Sequence, residues 1–268
     1  MTRIENKFRG LKAQHKIAFM PFLVAGDPNF QTSISITKKV IPFADLLEIG
    51  FPYSDPLADG PTIQNADSRA LRAGMHTDRV FAYIKKLREY TEIPITVLVY
   101  ANLVYQRGIM RFYHDARAAG IDGVLVPDVP VEESTPFVHA SSITGIDPIF
   151  LATHTTTPER IKKILAVAKG YLYIVSVLGV TGARDSLSPQ LPKLLQGIRR
   201  QTNLPLAVGF GISKRKHIAA LERSGADGAI VGSALIKIIE QNLRNKKHLL
   251  RQISARVHEL ARDKYKKQ

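Results

Sequence analysis

The sequence contains no cysteine among its 268 residues. That absence excludes a disulfide framework, a thiolate metal site and a cysteine nucleophile, and it is compatible with a reducing compartment. No apolar run approaches the length of about 18 residues that a membrane-spanning helix needs, and the charged N-terminal segment is not followed by the apolar stretch of a secretory signal. We therefore expect a soluble, cytoplasmic protein.

The sequence also lacks low-complexity stretches, and its glycines and prolines are scattered. Hydrophobic residues make up 45% of the chain, which favours a folded globular protein. The length suits one large barrel or two small domains, since barrels commonly run to about 250 residues. We predict a single domain over residues 1–268.

The formal net charge of +15 raises the possibility of a polyanion site. Basic residues concentrate near the C-terminus, where Leu250, Ile253, Val257 and Leu260 recur at helical spacing. This pattern predicts a basic C-terminal helix over about 234–263, docked through its apolar face and solvated on the other. We favour that interpretation over nucleic-acid binding.

Short apolar runs that end in Gly, Pro, Asp or Asn and precede a helical pattern are typical of buried parallel strands. Eight such runs occur: Ile17–Ala25, Leu46–Ile49, Ile95–Tyr100, Gly123–Val126, Pro148–Ala152, Leu172–Val177, Leu206–Phe210 and Gly228–Val231. Predicted helices between them include Gln31–Val40, Arg107–Ala119, Glu159–Ala168 and Lys214–Ser224.

Eight alternating strand and helix units favour an α/β protein that closes into a single (β/α)8 TIM barrel. An open, doubly wound sheet is the alternative, but no Gly-x-Gly-x-x-Gly follows the first strand. The intervals after strands 2 and 6 are longer than the others. We expect an extra N-terminal helix and an extra loop or helix after strand 2.

Glycines and a serine follow the last two predicted strands, where this fold usually binds phosphate. Gly211 follows strand 7, and Gly232 and Ser233 follow strand 8 at the start of a helix. Glycine lets backbone amides approach an anion, and the first turn of a helix offers free amides and a positive dipole. The alternative is that these residues only make turns and cap the helix. Their joint position favours a phosphate site.

Two carboxylates stand out around strand 2. Glu48 interrupts an apolar strand, so it must face the barrel mouth or incur a large desolvation cost. Burial raises the pKa of a carboxyl group, which suits proton transfer near neutral pH. Asp59 follows in a proline-rich loop that can fold over the mouth, and Asp55 in the same loop favours a turn or interface role. A structural Glu48, held by backbone amides, is the alternative.

The segment around these acids resembles the signature of the tryptophan synthase α-subunit family. It runs Leu-Glu-hydrophobic-Gly, two residues, then aromatic-Ser-Asp-Pro-Leu-Ala-Asp-Gly, and every specified position of residues 47–60 matches. Further matches follow in order along nearly the whole barrel: Pro21-Phe22 with Gly26-Asp27-Pro28, Tyr100-Ala101-Asn102, Asp128-Val129-Pro130-Val131-Glu132-Glu133, Gly179-Val180-Thr181-Gly182, Gly209-Phe210-Gly211-Ile212 and Val231-Gly232-Ser233.

The resemblance implies retro-aldol cleavage of indole-3-glycerol phosphate to indole and glyceraldehyde 3-phosphate. It assigns proton transfer at indole C3 and the C3′ hydroxyl to Glu48, and acceptance of a hydrogen bond from the ring N–H to Asp59. It also implies a phosphate site, an indole pocket and a closing loop, with these residues: Gly182, Gly211, Gly232 and Ser233 on the phosphate; Phe22, Leu98, Leu125 and Tyr173 in the pocket; Thr181 in the loop after strand 6.

One position departs from many relatives, which carry Arg where this chain has Val177, so the tightness of loop closure is left open. The apolar pocket residues, taken singly, are also compatible with plain barrel core.

The resemblance further implies an α2β2 complex in which indole passes to a β subunit that carries pyridoxal phosphate. This chain would need no metal or organic cofactor, and Pro52, Asp55 and the Thr181 loop would contact the partner. Three alternatives stay open: a stand-alone lyase that releases indole, a non-catalytic barrel that supports a β subunit, and a different phosphate-binding barrel enzyme. Retention of both Glu48 and Asp59 argues against the last two.

Overall fold

The computed structural model describes residues 1–175, 190–209 and 211–261. Eight parallel strands close into a barrel in sequence order, so the predicted TIM barrel is confirmed. The strands are β1 (Ala18–Val24), β2 (Leu47–Gly50), β3 (Ile95–Leu98), β4 (Gly123–Leu125), β5 (Asp147–Ala152), β6 (Leu172–Val175), β7 (Leu206–Gly209) and β8 (Gly228–Val231).

Helices surround the barrel in the described part of the chain. They are α1 (Arg3–Ala13), α2 (Phe30–Val40), α3 (Pro61–Arg72), α4 (Thr77–Arg88), α5 (Ala101–Arg107), α6 (Ile109–Ala119), α7 (Thr135–Thr144), α8 (Pro158–Val167), α9 (Leu191–Arg199), α10 (Arg215–Arg223), α11 (Ser233–Gln241) and α12 (Lys246–Ala261). The expected N-terminal helix is α1, and two helices, α3 and α4, follow strand 2, so one of them is the expected extra element.

Predicted and observed strands agree in position but differ at their ends. The first strand ends at Val24, one residue before the predicted end, and the third ends at Leu98 because Tyr100 already caps α5. Every residue of β1 is buried, as expected for a strand with side chains in the barrel on one face and under helices on the other.

Two predicted helices are each divided in the structure. The predicted Arg107–Ala119 helix spans the boundary between α5 and α6, where Gly108 has a positive φ of 84°. The predicted C-terminal helix is α11 and α12, because the Asn245 side chain accepts the backbone N–H of His248 at 2.9 Å and begins a new helix. The apolar face of α12 is buried, with Leu249 rather than Leu250 at its start.

The strand register places the site residues at one level of the barrel. Phe22 pairs with Glu48 between β1 and β2, and Leu98 pairs with Leu125 between β3 and β4. Because paired residues of parallel strands point to the same side, these side chains share the barrel interior. In the described residues, no helix is long and apolar enough to cross a membrane.

Candidate active site

Glu48 lies within β2 and is fully buried in the barrel interior. The hydroxyl of Tyr171, which directly precedes β6 across the barrel, donates a hydrogen bond to Glu48 Oε1 at 3.1 Å. Thr96 Oγ1 lies 3.2 Å from the same hydroxyl. Glu48 Oε2 has no hydrogen-bond partner among the described residues. One oxygen of the carboxyl group is thus left for a ligand.

Burial raises the pKa of Glu48 to about 8. The negative charge of Asp59 raises this pKa further, and the hydrogen bond from Tyr171 lowers it. At neutral pH the side chain therefore carries a proton that it can donate. This confirms the expectation of a buried carboxyl group in β2, and the backbone amides that a structural Glu would need are absent from the described contacts of its side chain.

Asp59 lies in the loop between β2 and α3, and it is buried although the loop is at the surface. The Tyr100 hydroxyl donates a hydrogen bond to Asp59 Oδ2 at 2.8 Å, and the Tyr100 ring stacks on Tyr53 with centroids 4.9 Å apart. Gln64 Nε2 donates to the Asp59 carbonyl at 2.8 Å. Burial raises the pKa of Asp59, and the Tyr100 bond partly offsets that rise. The loop thus holds its carboxylate over the barrel mouth.

The two acids belong to one site, since the charge of Asp59 contributes to the pKa of Glu48. Tyr173, on β6, is buried, and burial together with the charges of Glu48 and Asp59 raises the pKa of its hydroxyl well above the ordinary value. Because both charges act on this one buried hydroxyl, Glu48, Asp59 and Tyr173 lie in the same interior space. The structure therefore brings together the two carboxylates that the sequence singled out.

Phe22 connects this site with the turn after β8. A Cβ atom at Gly50 would lie 2.8 Å from the Phe22 ring, and one at Gly232 would lie 3.0 Å from it. Only glycine fits on either side of the ring without a shift of the neighbours. Leu125 and Phe22 are buried, and Leu98 is partly exposed toward the mouth.

Three of the four expected phosphate residues, Gly211, Gly232 and Ser233, lie at the same end of the barrel. Ser233 is the first residue of α11, Gly232 is its N-cap, and both are partly exposed. Gly211 follows β7 with a positive φ of 77°. The first backbone amides of α11 are not used by the helix itself and can bind an anion. Gly182, Thr181 and Val177 lie outside the described residues.

Several residues around the two acids were not predicted from the sequence. Tyr171 and Tyr100 hold the two acids, and only the match of Tyr100-Ala101-Asn102 gave any signal for either. Leu57, in the same loop as Asp59, has an exposure of 93%. Of the two expected interface residues, Asp55 is exposed and Pro52 is buried.

A third buried acid, Asp67, lies near enough to Asp59 for the charge of Asp59 to affect its pKa. Asp67 on α3 is buried, and burial together with the charges of Asp59 and Asp27 raises its pKa to about 8. The backbone N–H of Tyr53 donates to its carboxyl group. Asp27 itself accepts two hydrogen bonds from Arg69, at 2.7 and 2.9 Å.

These features define a class of protein: a (β/α)8 barrel with a pair of buried acids at one mouth and, at the same end, a glycine at the start of a helix. Within the described ranges, no group of three or more His, Asp or Glu side chains could hold a metal ion. At this end of the described barrel, the candidate reactive groups are therefore the two buried acids, Glu48 and Asp59.

Comparison with known proteins is specific. A family model described as "Tryptophan synthase alpha chain" matches residues 8–265. The tryptophan synthase alpha chain of Methanoregula boonei is 52% identical over 246 residues, 91% of this chain and 92% of that protein. That of Methanothermobacter thermautotrophicus is 46% identical over 91% of this chain and 89% of its own length.

Solved structures agree. A Mycobacterium tuberculosis tryptophan synthase structure has a TM-score of 0.89 at 32% identity, covering 97% of both chains. A structure of the Pyrococcus furiosus tryptophan synthase α2β2 complex has a TM-score of 0.85 at 37% identity, covering 91% of this chain and 97% of that one. The chain belongs to the tryptophan synthase alpha chain family, whose members are lyases of tryptophan biosynthesis.

Proposed function

We propose that this chain cleaves indole-3-glycerol phosphate by retro-aldol chemistry, with Glu48 as the proton-transfer group and Asp59 as the anchor of the indole ring. The observation that carries the proposal is the Glu48 side chain: it is fully buried, its pKa is about 8, and Oε2 has no partner among the described residues. A protonated acid with an unoccupied oxygen is suited to both giving and accepting a proton.

The reaction requires two proton movements. Glu48 donates its proton to indole C3, which places positive charge on the ring nitrogen, and Asp59 accepts a hydrogen bond from the ring N–H. The C3′ hydroxyl then loses its proton to Glu48, its oxygen forms the aldehyde, and the C3–C3′ bond breaks with its electron pair returning to the indole ring. The products are indole and glyceraldehyde 3-phosphate, and Glu48 ends protonated as it began.

Binding is divided between the two parts of the substrate. Gly211, Gly232 and Ser233, together with Gly182, would hold the phosphate through backbone amides and a hydroxyl. The indole ring would contact four side chains of the barrel interior: Phe22, Leu98, Leu125 and Tyr173. Phe22 packs against both Gly50, next to Glu48 in β2, and Gly232, in the turn after β8, and this supports binding of the two parts side by side.

We also propose that the chain works with a β subunit that receives the indole and carries pyridoxal phosphate. The exposed Asp55 and Leu57 in the Asp59 loop support a contact surface beside the catalytic acid. Thr181 would close the site against that loop. We also propose a cytoplasmic location, with which the absence of cysteine is compatible.

The test is indole release from indole-3-glycerol phosphate by wild type, Glu48→Gln and Asp59→Asn, each with and without a β subunit. We expect kcat to fall by roughly 100-fold or more in Glu48→Gln, since general acid–base groups contribute about that much. A similar loss is expected in Asp59→Asn, since one electrostatic contact with a developing charge is worth about as much. Glu89→Gln, at an exposed position on the outside of the barrel, serves as the control. Wild-type activity in either active-site variant refutes the assignment, and a wild-type rate that the β subunit leaves unchanged favours a stand-alone lyase.

A further inference from the structure

The backbone of Ser213, in the loop between β7 and α10, is bonded by side chains from two helices. Its N–H donates to Nδ1 of His217, on α10, at 3.3 Å. Its carbonyl accepts a hydrogen bond from Nη2 of Arg256, on α12. Both polar groups of this residue are therefore fixed from outside the loop. Gly211 and the buried Ile212 directly precede it.

His217 is not explained by packing alone. The residue is only 3% exposed, and its Nε2 has no hydrogen-bond partner within the described part of the chain. Since Nδ1 accepts the Ser213 N–H, a neutral ring carries its proton on Nε2. A buried N–H without a partner is unfavourable, so an aliphatic side chain would pack here at lower cost. What the imidazole adds is the acceptor for Ser213.

Arg256 reaches the loop from a helix that is anchored to the barrel. The buried face of α12 consists of Leu249, Ile253, Val257 and Leu260, with Ala261 at its end. The Arg256 side chain is 26% exposed, and Nη1 donates to Glu259 Oε2 at 2.6 Å. Its guanidinium thus joins α12 to a loop 43 residues earlier in the chain.

We propose that His217 and Arg256 are positioning residues that hold the 211–213 loop in the geometry that receives the substrate phosphate. This inference rests on the phosphate site proposed above. Backbone amides bind a dianion well only when their directions are fixed, and a loop that is already ordered loses less entropy on binding. The C-terminal helix is then part of the support of the phosphate site.

The test measures binding of glycerol 3-phosphate by calorimetry, alongside KM and kcat for indole release. We expect Arg256→Ala and His217→Leu to raise both the Kd for glycerol 3-phosphate and KM by roughly five- to ten-fold, with kcat changed by less than about two-fold, as for the loss of one hydrogen bond used in uniform binding. Arg251→Ala is the matched control, because Arg251 is exposed on the same helix and contacts His248.

Two further variants separate positioning from charge and folding. Arg256→Lys keeps a cation and a donor and is expected to recover part of the affinity. His217→Leu replaces one neutral side chain by another, so an affinity loss in that variant is not due to a change in charge. Variants with a lowered Tm and unchanged Kd and KM would overturn the inference, as would wild type that does not bind glycerol 3-phosphate. Wild type that binds it but releases no indole would refute the proposed lyase function and leave this inference standing.

Discussion

Buried carboxylates lie at both ends of the barrel, but in different surroundings. At the N-terminal end, the buried Asp45 and Asp122 and the partly buried Asp227 each accept a backbone N–H near the start of the preceding strand at 2.8 Å: Asp45 from Phe19, Asp122 from Ile95 and Asp227 from Leu206. At the C-terminal end, the donors to Glu48 and Asp59 are the hydroxyls of Tyr171 and Tyr100.

The two ends also differ in whether arginines pair with the carboxylates. Asp122 pairs with Arg88 and Arg3, whereas neither Glu48 nor Asp59 has an ion pair with Lys or Arg among the described residues. Cations and amides stabilise the ionised form, and burial with weak donors favours the protonated form. The same chemical group therefore stabilises the fold at one end, whereas at the other end it serves the proton transfer proposed for Glu48, at some cost in stability.

The largest expected effect is at the N-terminal end. Asp122→Ala removes the acceptor of the Ile95 N–H and leaves the largely buried Arg88 without its carboxylate. We expect the free energy of unfolding to fall by about 3 kcal/mol, as when one partner of a buried pair is removed. Urea unfolding measures it.

The matched control is Asp78→Ala, because Asp78 also pairs with an arginine but is 69% exposed. Its loss should be about 0.5 kcal/mol. Equal losses in the two variants would contradict the claim that the carboxylates at the N-terminal end stabilise the fold.

The second effect has the opposite sign. Glu48→Gln replaces a buried acid by a neutral isostere and should raise the free energy of unfolding by about 2 kcal/mol at pH 7. The pKa of Glu48 is about 8 in the folded chain, against a usual value of 4.5. As the pH rises between those values, the unfolded chain loses the proton and the folded chain retains it, so the wild type loses stability relative to the variant.

The gap between variant and wild type should therefore be small below pH 4.5, grow to about pH 8 and then level off. Urea unfolding at several pH values measures it, with Glu89→Gln as the exposed control. A gap independent of pH would mean that Glu48 is ionised in the folded chain.

Some of these features could be predicted from the sequence and others could not. The barrel and the burial of Glu48 followed from local pattern, since a charge within an apolar strand has few places to go. Tyr171 and Tyr100 act on acids 123 and 41 residues away, and such distances leave no periodic signal in one sequence. The break before α12 depends on one side-chain cap at Asn245, which the continuing apolar spacing concealed.

The last effect concerns Asp67, whose surroundings are intermediate between those of Asp122 and Glu48. It is buried with a pKa of about 8, yet Arg69 and the Tyr53 N–H both favour its ionised form. The pKa of about 8 already includes both groups, and the usual aspartate pKa is 3.8, so Asp67→Asn should also raise the free energy of unfolding at pH 7 by about 2 kcal/mol, as for Glu48→Gln.

This gap should also be absent below the usual aspartate pKa of 3.8 and grow toward pH 8, where the folded chain releases the proton. Urea unfolding across pH checks it, with the exposed Asp55→Asn as control. Destabilisation at every pH would instead show an ionised Asp67 stabilised by Arg69, and this carboxylate would then resemble Asp122 rather than Glu48, although it lies beside the loop that carries Asp59.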